Sequence, residues 1–374
     1  MRRNHWTVLI AMVIGICLFF SDPARGAEAK RPPEWERTLE AAKKEGKIVL
    51  AIPPANELRR EMEIVLKQKF GFETELITNP GPRNASRIAA ERKAGVRYFD
   101  ALIVGTGTAV TLAHDGMLEP IESFLMLPEV KDPKEWWGGH IWDDNLDTNR
   151  YLYSFLADVS TTNVWYNANL AKPEELRSFD DYLSPKWKGK IAFSDPRVPS
   201  SGQSIWSFMW DIKGEEYLRK LVQQELFLSR DLRQLAEAVS RGKVALAFGL
   251  GRSQMEPFLK VGLPVKSGPT PKEGLPASNG FGLLGIVKDP PHPSATKIFV
   301  NWFLGREGQD WYGKVMQSGT RRLDVDTKWL KEIGVDAAKD VLTVEEYHRL
   351  RNHLEDKYTK VRVPSAKFAE TILK

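Results

Sequence analysis

SFDDYLSPKWKGKIAFSDPR, residues Ser178–Arg197, joins a short acidic turn, a tryptophan between two lysines (Lys186, Trp187, Lys188), an apolar strand over Lys190–Phe193 and an Asp-Pro-Arg turn. A helix signal around Trp206 follows, and strand, turn and helix together are one unit of an α/β fold. The alternation repeats upstream. Trp35, Leu39 and Ala42 recur at helical spacing until Gly46, and Ile48–Ile52 follows as a buried strand. Leu58, Met62, Val65 and Leu66 mark the next helix face, and Phe72–Ile77 the next strand. Asn84 is placed to cap a helix that stops at Gly95, before the apolar strand Phe99–Val104 and a short helix, Thr108–Asp115, closed by Gly116. Beyond the opening stretch come a helix over Leu232–Ser240, strands over Val244–Phe248 and Gly282–Val287, and a helix over Ala295–Gly305. This order predicts a sheet covered by helices on both faces.

Arg2 and Arg3 precede an apolar run, Thr7–Phe20, with an Ala27-x-Ala29 exit. That is the pattern of a secretory signal peptide, here over residues 1–29. The run is short for a span of ~20 residues, so an uncleaved anchor is the lesser alternative. A lipoprotein fits worse, because Ile16 stands where a small residue is needed before Cys17. Cleavage removes Cys17, the only cysteine, and leaves a chain that a large core must hold without disulfides. About 345 residues remain, enough for two domains. The formal charge of +5 loses Arg2, Arg3, Arg25 and Asp22 on cleavage before Ala27, leaving about +3. Lysines and arginines are scattered, so no nucleic-acid partner is expected. Most of the twelve tryptophans are expected in cores, where each buries a large apolar area.

Ser178–Arg197 resembles the signature region of bacterial extracellular solute-binding proteins, the two-lobed ligand collectors of ABC importers. The similarity is greatest to the branch that includes ferric-iron and organophosphate binders. Ala41–Leu50 (AAKKEGKIVL) resembles that family's entry helix and first strand, and His292–Gln309 (HPSATKIFVNWFLGREGQ) its late helix. The resemblance runs from about Trp35 to Val325. It implies an α/β, type II periplasmic binding fold of two lobes, each a mixed sheet flanked by helices, joined by a two-strand hinge. Lobe one would comprise residues 30–159 and 266–330, and lobe two residues 160–265. The crossings would lie near Ser160 and Val265, with Pro264–Pro276 as the return linker. Residues 331–374 would be a helical extension, in which Val344, Tyr347, Leu350 and Leu354 form one apolar face docked on a lobe. The resemblance further implies a periplasmic monomer without cofactor or catalytic activity, partnered by a small-molecule ligand and an inner-membrane ABC permease.

Several strands run into short loops of small or hydrogen-bonding residues that start helices: Pro80–Ser86, Gly105–Thr108, Pro199–Ser204 and Gly249–Ser253. Helix starts carry free N–H groups and partial positive charge, suited to an anion. Arg83, Arg197 and Arg252 lie near three of these loops, and a guanidinium grips carboxylate or phosphate with two parallel bonds. They are the candidates for charge recognition, with Thr106, Thr108, Ser200 and Ser201 as hydroxyl donors. The resemblance adds Ser160–Thr162, hence Thr161 and Thr162, at the first crossing. Asn56 stands at the mouth of the first strand, where helix capping also explains it. The expected ligand is a small carboxylate- or phosphate-bearing solute. The alternative, ferric ion, lacks the adjacent tyrosines that the iron branch carries after the strand matching Val244–Phe248; Gly249–Ser253 offers an arginine instead. A periplasmic sensor or enzyme module is a further alternative. No Gly-x-Ser-x-Gly elbow or Walker loop occurs, and Gly105-x-Gly107 lacks the third glycine of a dinucleotide fingerprint. His348 and His353 are five apart, on different helix faces. Asp143, Asp144 and Asp147 lack the glycine and distal glutamate of an EF-hand and read as acidic surface. Trp165 and Trp206 read as core, with a place beside the ligand as the alternative.

Overall fold

Pro33 opens and Gly46, in the left-handed region at φ 73°, closes the first helix, Pro33–Glu45 (α1), whose buried residues are Trp35 and Ala42. The computed structural model describes residues 31–373 except 143–149, 160–163, 334 and 352–356. Thus the expected signal peptide, Asp143, Asp144 and Asp147, the segment Ser160–Thr162 with Thr161 and Thr162, and Leu354 lie outside the described residues.

The first sheet is built from Lys47–Ala51 (β1), Glu73–Ile77 (β2), Ala101–Val104 (β3), Leu118–Glu119 (β4), Leu152–Ser154 (β5) and Leu283–Val287 (β13). Its order is β2-β1-β3-β13-β4, with β5 also on β13. β1 runs parallel to β2 and β3, and β13 lies antiparallel to β3, Leu283 opposite Val104. Alternation along β1 divides the core. Ile48 and Leu50 pack with α1, Asn56–Phe70 (α2) and the late helices Pro293–Leu304 (α8) and Arg306–Met316 (α9), through Trp35, Leu58, Met62, Leu66, Phe299 and Tyr312. Val49 and Ala51 pack with Gly81–Lys93 (α3) and Thr106–His114 (α4), through Ile88, Ala109 and Leu112. α3 starts before Asn84 because Pro82 suits the first turn; Asn84 is therefore a buried helix residue and no cap.

The second sheet has the order β11-β7-β10-β8-β9, from Val164–Asn167 (β7), Ile191–Ser194 (β8), Phe227–Ser229 (β9), Leu246–Phe248 (β10) and Val265–Ser267 (β11). β8, β9 and β10 are parallel, and β7 and β11 antiparallel. Ser201–Val222 (α5) covers one face, where Trp206 packs with Phe193 and Phe248. Leu232–Ser240 (α6) and Arg252–Lys260 (α7) cover the other, against Ala192, Ala247 and Trp165. Trp165 and Trp206 are both core residues.

A third, three-stranded sheet joins the two halves: Ala277–Ser278 (β12), Asp158–Val159 (β6) and Asp336–Ala337 (β14), all antiparallel. The chain leaves the first sheet through β6 and returns through β12. The expected return near Val265 needs correction. Pro264–Pro276 is rich in turn residues and reads as a linker, yet Val265–Ser267 closes the open edge of β7, with Val265 opposite Asn167. The second lobe thus continues past residue 265. The segment after residue 330 supplies β14 to the hinge, then Val344–Leu350 (α10) and Val363–Ile372 (α11), which place Tyr347, Leu350, Ala369 and Leu373 in the core of the second lobe.

Candidate functional site

A cleft of about 890 Å³ lies between the lobes, outside the carboxyl ends of the parallel strands. The first lobe contributes Ile52–Pro54 after β1, Asn79–Ser86 except Arg83 after β2, and Gly105–Thr108 after β3. The second contributes Pro199–Ser201 with Ser204 and Ile205 after β8, and Gly249–Gly251 after β10. The loop beyond the hinge strand β12 closes one end with Asn279–Phe281. Arg362, just before α11, also reaches the wall.

Glycine makes these junctions possible. A Cβ on Gly81 would lie 2.0 Å from Thr108 Oγ1, so only glycine lets α3 begin against α4. A Cβ on Gly202 would lie 2.1 Å from the Ser194 carbonyl oxygen. Gly249, at φ 78°, packs on Gly202 in turn. Ser200 caps α5 by accepting the Gln203 N–H at 3.2 Å, and the Ser201 hydroxyl donates to the Gly249 carbonyl. Thr106 is 5 % exposed and donates to Asn279 Oδ1 at 3.4 Å. The starts of α3, α4, α5 and α7 thus face one volume, two from each lobe, and all present positive dipole ends.

Of the sequence candidates, Thr106, Thr108, Ser200 and Ser201 line the cleft. Asn56, Arg83, Arg197 and Arg252 do not. Asn56 is exposed in the first turn of α2, where Ala55 holds the cap position and no side-chain cap bond forms. Arg83 points off the exposed side of α3, while its neighbours Gly81, Pro82 and Asn84 line the wall. Arg252 is half-buried in the first turn of α7 and does not line the cleft, although its neighbours Gly249–Gly251 do. Arg197 is engaged elsewhere. Its Nε and Nη2 donate to the two oxygens of buried Asp195 at 2.8 and 3.0 Å, and Arg230 Nε adds a third bond at 2.9 Å. Burial pushes the Asp195 carboxyl up, but the hydrogen bonds from Arg197 and Arg230 outweigh it and hold it at about 2. Sequence reading placed these arginines by nearness along the chain, which does not say on which side of a turn a side chain leaves.

The wall also holds residues that the sequence did not single out as ligands. Asn84 is 1 % exposed; its Nδ2 donates to the Asn79 carbonyl at 3.3 Å, and its Oδ1 is buried without a donor. Asn279 is equally buried, and Phe281 is 44 % exposed at the cleft. Among the described lining residues Arg362 is the one cation and Asp115 the one carboxylate; none is tyrosine, histidine or cysteine. The described residues also contain no group of three or more His, Cys, Asp or Glu able to hold a metal.

No curated protein sequence matches the chain. Solved structures do. The periplasmic binding protein AfuA from Actinobacillus pleuropneumoniae, with fructose-6-phosphate bound, is 17 % identical at a TM-score of 0.62, over 87 % of this chain and 99 % of its own. The Trichodesmium protein IdiA (FutA), in complex with iron and citrate, is 16 % identical at a TM-score of 0.65, over 88 % and 99 %. The ferric binding protein from Campylobacter jejuni is 14 % identical at 0.64, over 87 % and 99 %. These likenesses show the two-lobed type II fold. Residues 75–310, well over half the chain, match the family model of the bacterial extracellular solute-binding proteins. Fold, interlobe cleft and family match agree, and the chain belongs to the bacterial extracellular solute-binding proteins.

Proposed function

We propose that this protein captures a small anionic solute, carboxylate- or phosphate-bearing, in the periplasm and delivers it to an ABC-type permease. The observation that carries the reading is the convergence of four helix starts, from both lobes, on one cleft. Their N–H groups and the hydroxyls of Thr108 and Ser200 are donors without formal charge, suited to holding an anion that must later be released, while the Thr106 and Ser201 hydroxyls donate to Asn279 and Gly249 and shape the wall. A solute touching both lobes binds the closed form better than the open one and so shifts the population toward closure. Fructose-6-phosphate and citrate, present in two of the similar structures, are anions of this kind. The protein acts as a monomer and releases its solute chemically unchanged. Ferric ion bound directly by the protein is the weaker reading, since one carboxylate and no phenolate line the described wall.

Thermal denaturation against a panel of solutes tests this. Hexose 6-phosphates, citrate and inorganic phosphate are compared with neutral hexoses. An anion is expected to raise the melting temperature by several degrees at saturating concentration. A rise with neutral hexoses and none with any anion would overturn the reading, and a visible charge-transfer band on adding ferric ion would favour the iron alternative.

A further inference from the structure

The segment after residue 330 lies beyond the matched family region, yet it brings a cation to the cleft. Arg362 ends a π-helical turn, Tyr358–Arg362, before α11, an irregularity that recurs at functional sites. We infer that Arg362 is the group that grips the anionic end of the solute, an assignment that rests on the anionic reading above.

Its guanidinium is fixed at the start of α5. Nε donates to Gln203 Oε1 at 2.8 Å and Nη2 to the Ser200 carbonyl at 3.3 Å. A cation at the positive end of a helix is electrostatically adverse, and an anion seated against both relieves the repulsion. The position is over-determined. Trp206 Nε1 donates to the Ser365 carbonyl at 3.0 Å, the Arg219 guanidinium lies 4.8 Å over Phe368, and Lys357 pairs with Asp211. These contacts tie α11 and its approach along the length of α5. The opposite wall makes an independent demand: the buried Asn84 Oδ1 has no donor, and a buried acceptor of this kind calls for one. A solute with an anionic end for Arg362 and a hydroxyl for Asn84 answers both, so the class is a hydroxylated organic anion, such as a sugar phosphate or a hydroxycarboxylate.

Titration calorimetry on the full chain and on Arg362→Gln tests the assignment, with hexose 6-phosphate, malate, citrate and a neutral hexose as probes. The wild type is expected to bind at least one of the hydroxylated anions, and Arg362→Gln to bind it about tenfold or more weakly. Equal affinity in the two proteins would overturn the role of Arg362 and leave the anionic reading standing. A wild type that binds only the neutral hexose, or none of the probes, overturns the anionic reading and the assignment with it. Should circular dichroism show that Arg362→Gln has lost its fold, Arg362→Lys takes its place. Lysine keeps the charge but not the planar fork, and wild-type affinity in that variant likewise overturns the assignment.

Discussion

Arg197, which the sequence marks for charge recognition, is spent on the fold, and the part proposed for it passes to Arg362, a residue the sequence does not single out. Arg197 sits in the Asp-Pro-Arg turn of the stretch that betrays the family, and its charge is consumed by Asp195. Its bond is a fold contact, so Arg197→Gln is expected to lower stability at neutral pH by about 1–3 kcal/mol, leaving a buried carboxylate with fewer donors. The pH dependence has a definite sign. The hydrogen bonds from Arg197 and Arg230 hold the Asp195 carboxyl of the folded protein at about 2, below the ordinary aspartate range. Its contribution is therefore fully present above pH 4 and lost as pH falls through 2. Urea denaturation of wild type and Arg197→Gln should show a gap that narrows from pH 7 to pH 3, while solute affinity stays unchanged. A gap independent of pH would refute the ion-pair account. Arg362 was illegible for a physical reason: its partners Ser200 and Gln203 stand some 160 residues earlier, and no local pattern announces a contact at that separation. The sequence marks Asn84 as a cap. Its place inside α3 turns on Pro82 opening the helix earlier than expected.

At the scale of elements, the strands were the most legible part. β1, β3, β8 and β13 are short apolar runs bounded by turn residues, and each lies within a residue or two of its expected place. What misled was punctuation. Pro264–Pro276 carries enough proline and glycine to read as a linker, but strand pairing at an edge tolerates such neighbours, and β11 forms there. The junctions between strands and helices decide the cleft. α5 begins so close to the end of β8 that a Cβ at position 202 would meet the Ser194 backbone. Gly202→Ala must push the start of α5 away from β8 and from the Gly249 loop packed on it. Overpacking of this kind costs about 1–3 kcal/mol. The expected result is a lower denaturation midpoint together with a smaller thermal shift from whichever anion stabilises the wild type. A variant that is destabilised yet keeps the full ligand shift would mean that the α5 start is scaffold rather than wall.

The molecule as a whole is two lobes, each with its own sheet and cores, meeting at a hinge whose strands β6 and β12 pair with each other. The segment after residue 330 is woven into the hinge and the second lobe. β14 extends the hinge sheet, with Asp336 opposite Val159, and α10 and α11 fill the second lobe. Sequence reading expected an apolar face docked on a lobe, and Tyr347 and Leu350 lie on it; that the segment also completes the hinge and reaches the cleft is tertiary information no periodicity carries. Removing residues 331–374 tests how integral the segment is. Each large apolar side chain in a core contributes roughly 1.5–3 kcal/mol, and Tyr347, Leu350 and Leu373 would all be lost, along with one edge of the hinge sheet. Their sum is comparable to the ~5–15 kcal/mol that stabilises a typical domain. The truncated chain is therefore expected to unfold in two steps in urea, the second lobe first, and to bind a hydrophobic dye before the first lobe melts. A single cooperative transition at the wild-type midpoint would show that the segment is an appendage. Arg362 would then have to reach the cleft without the rigid support on which its assignment to the solute depends.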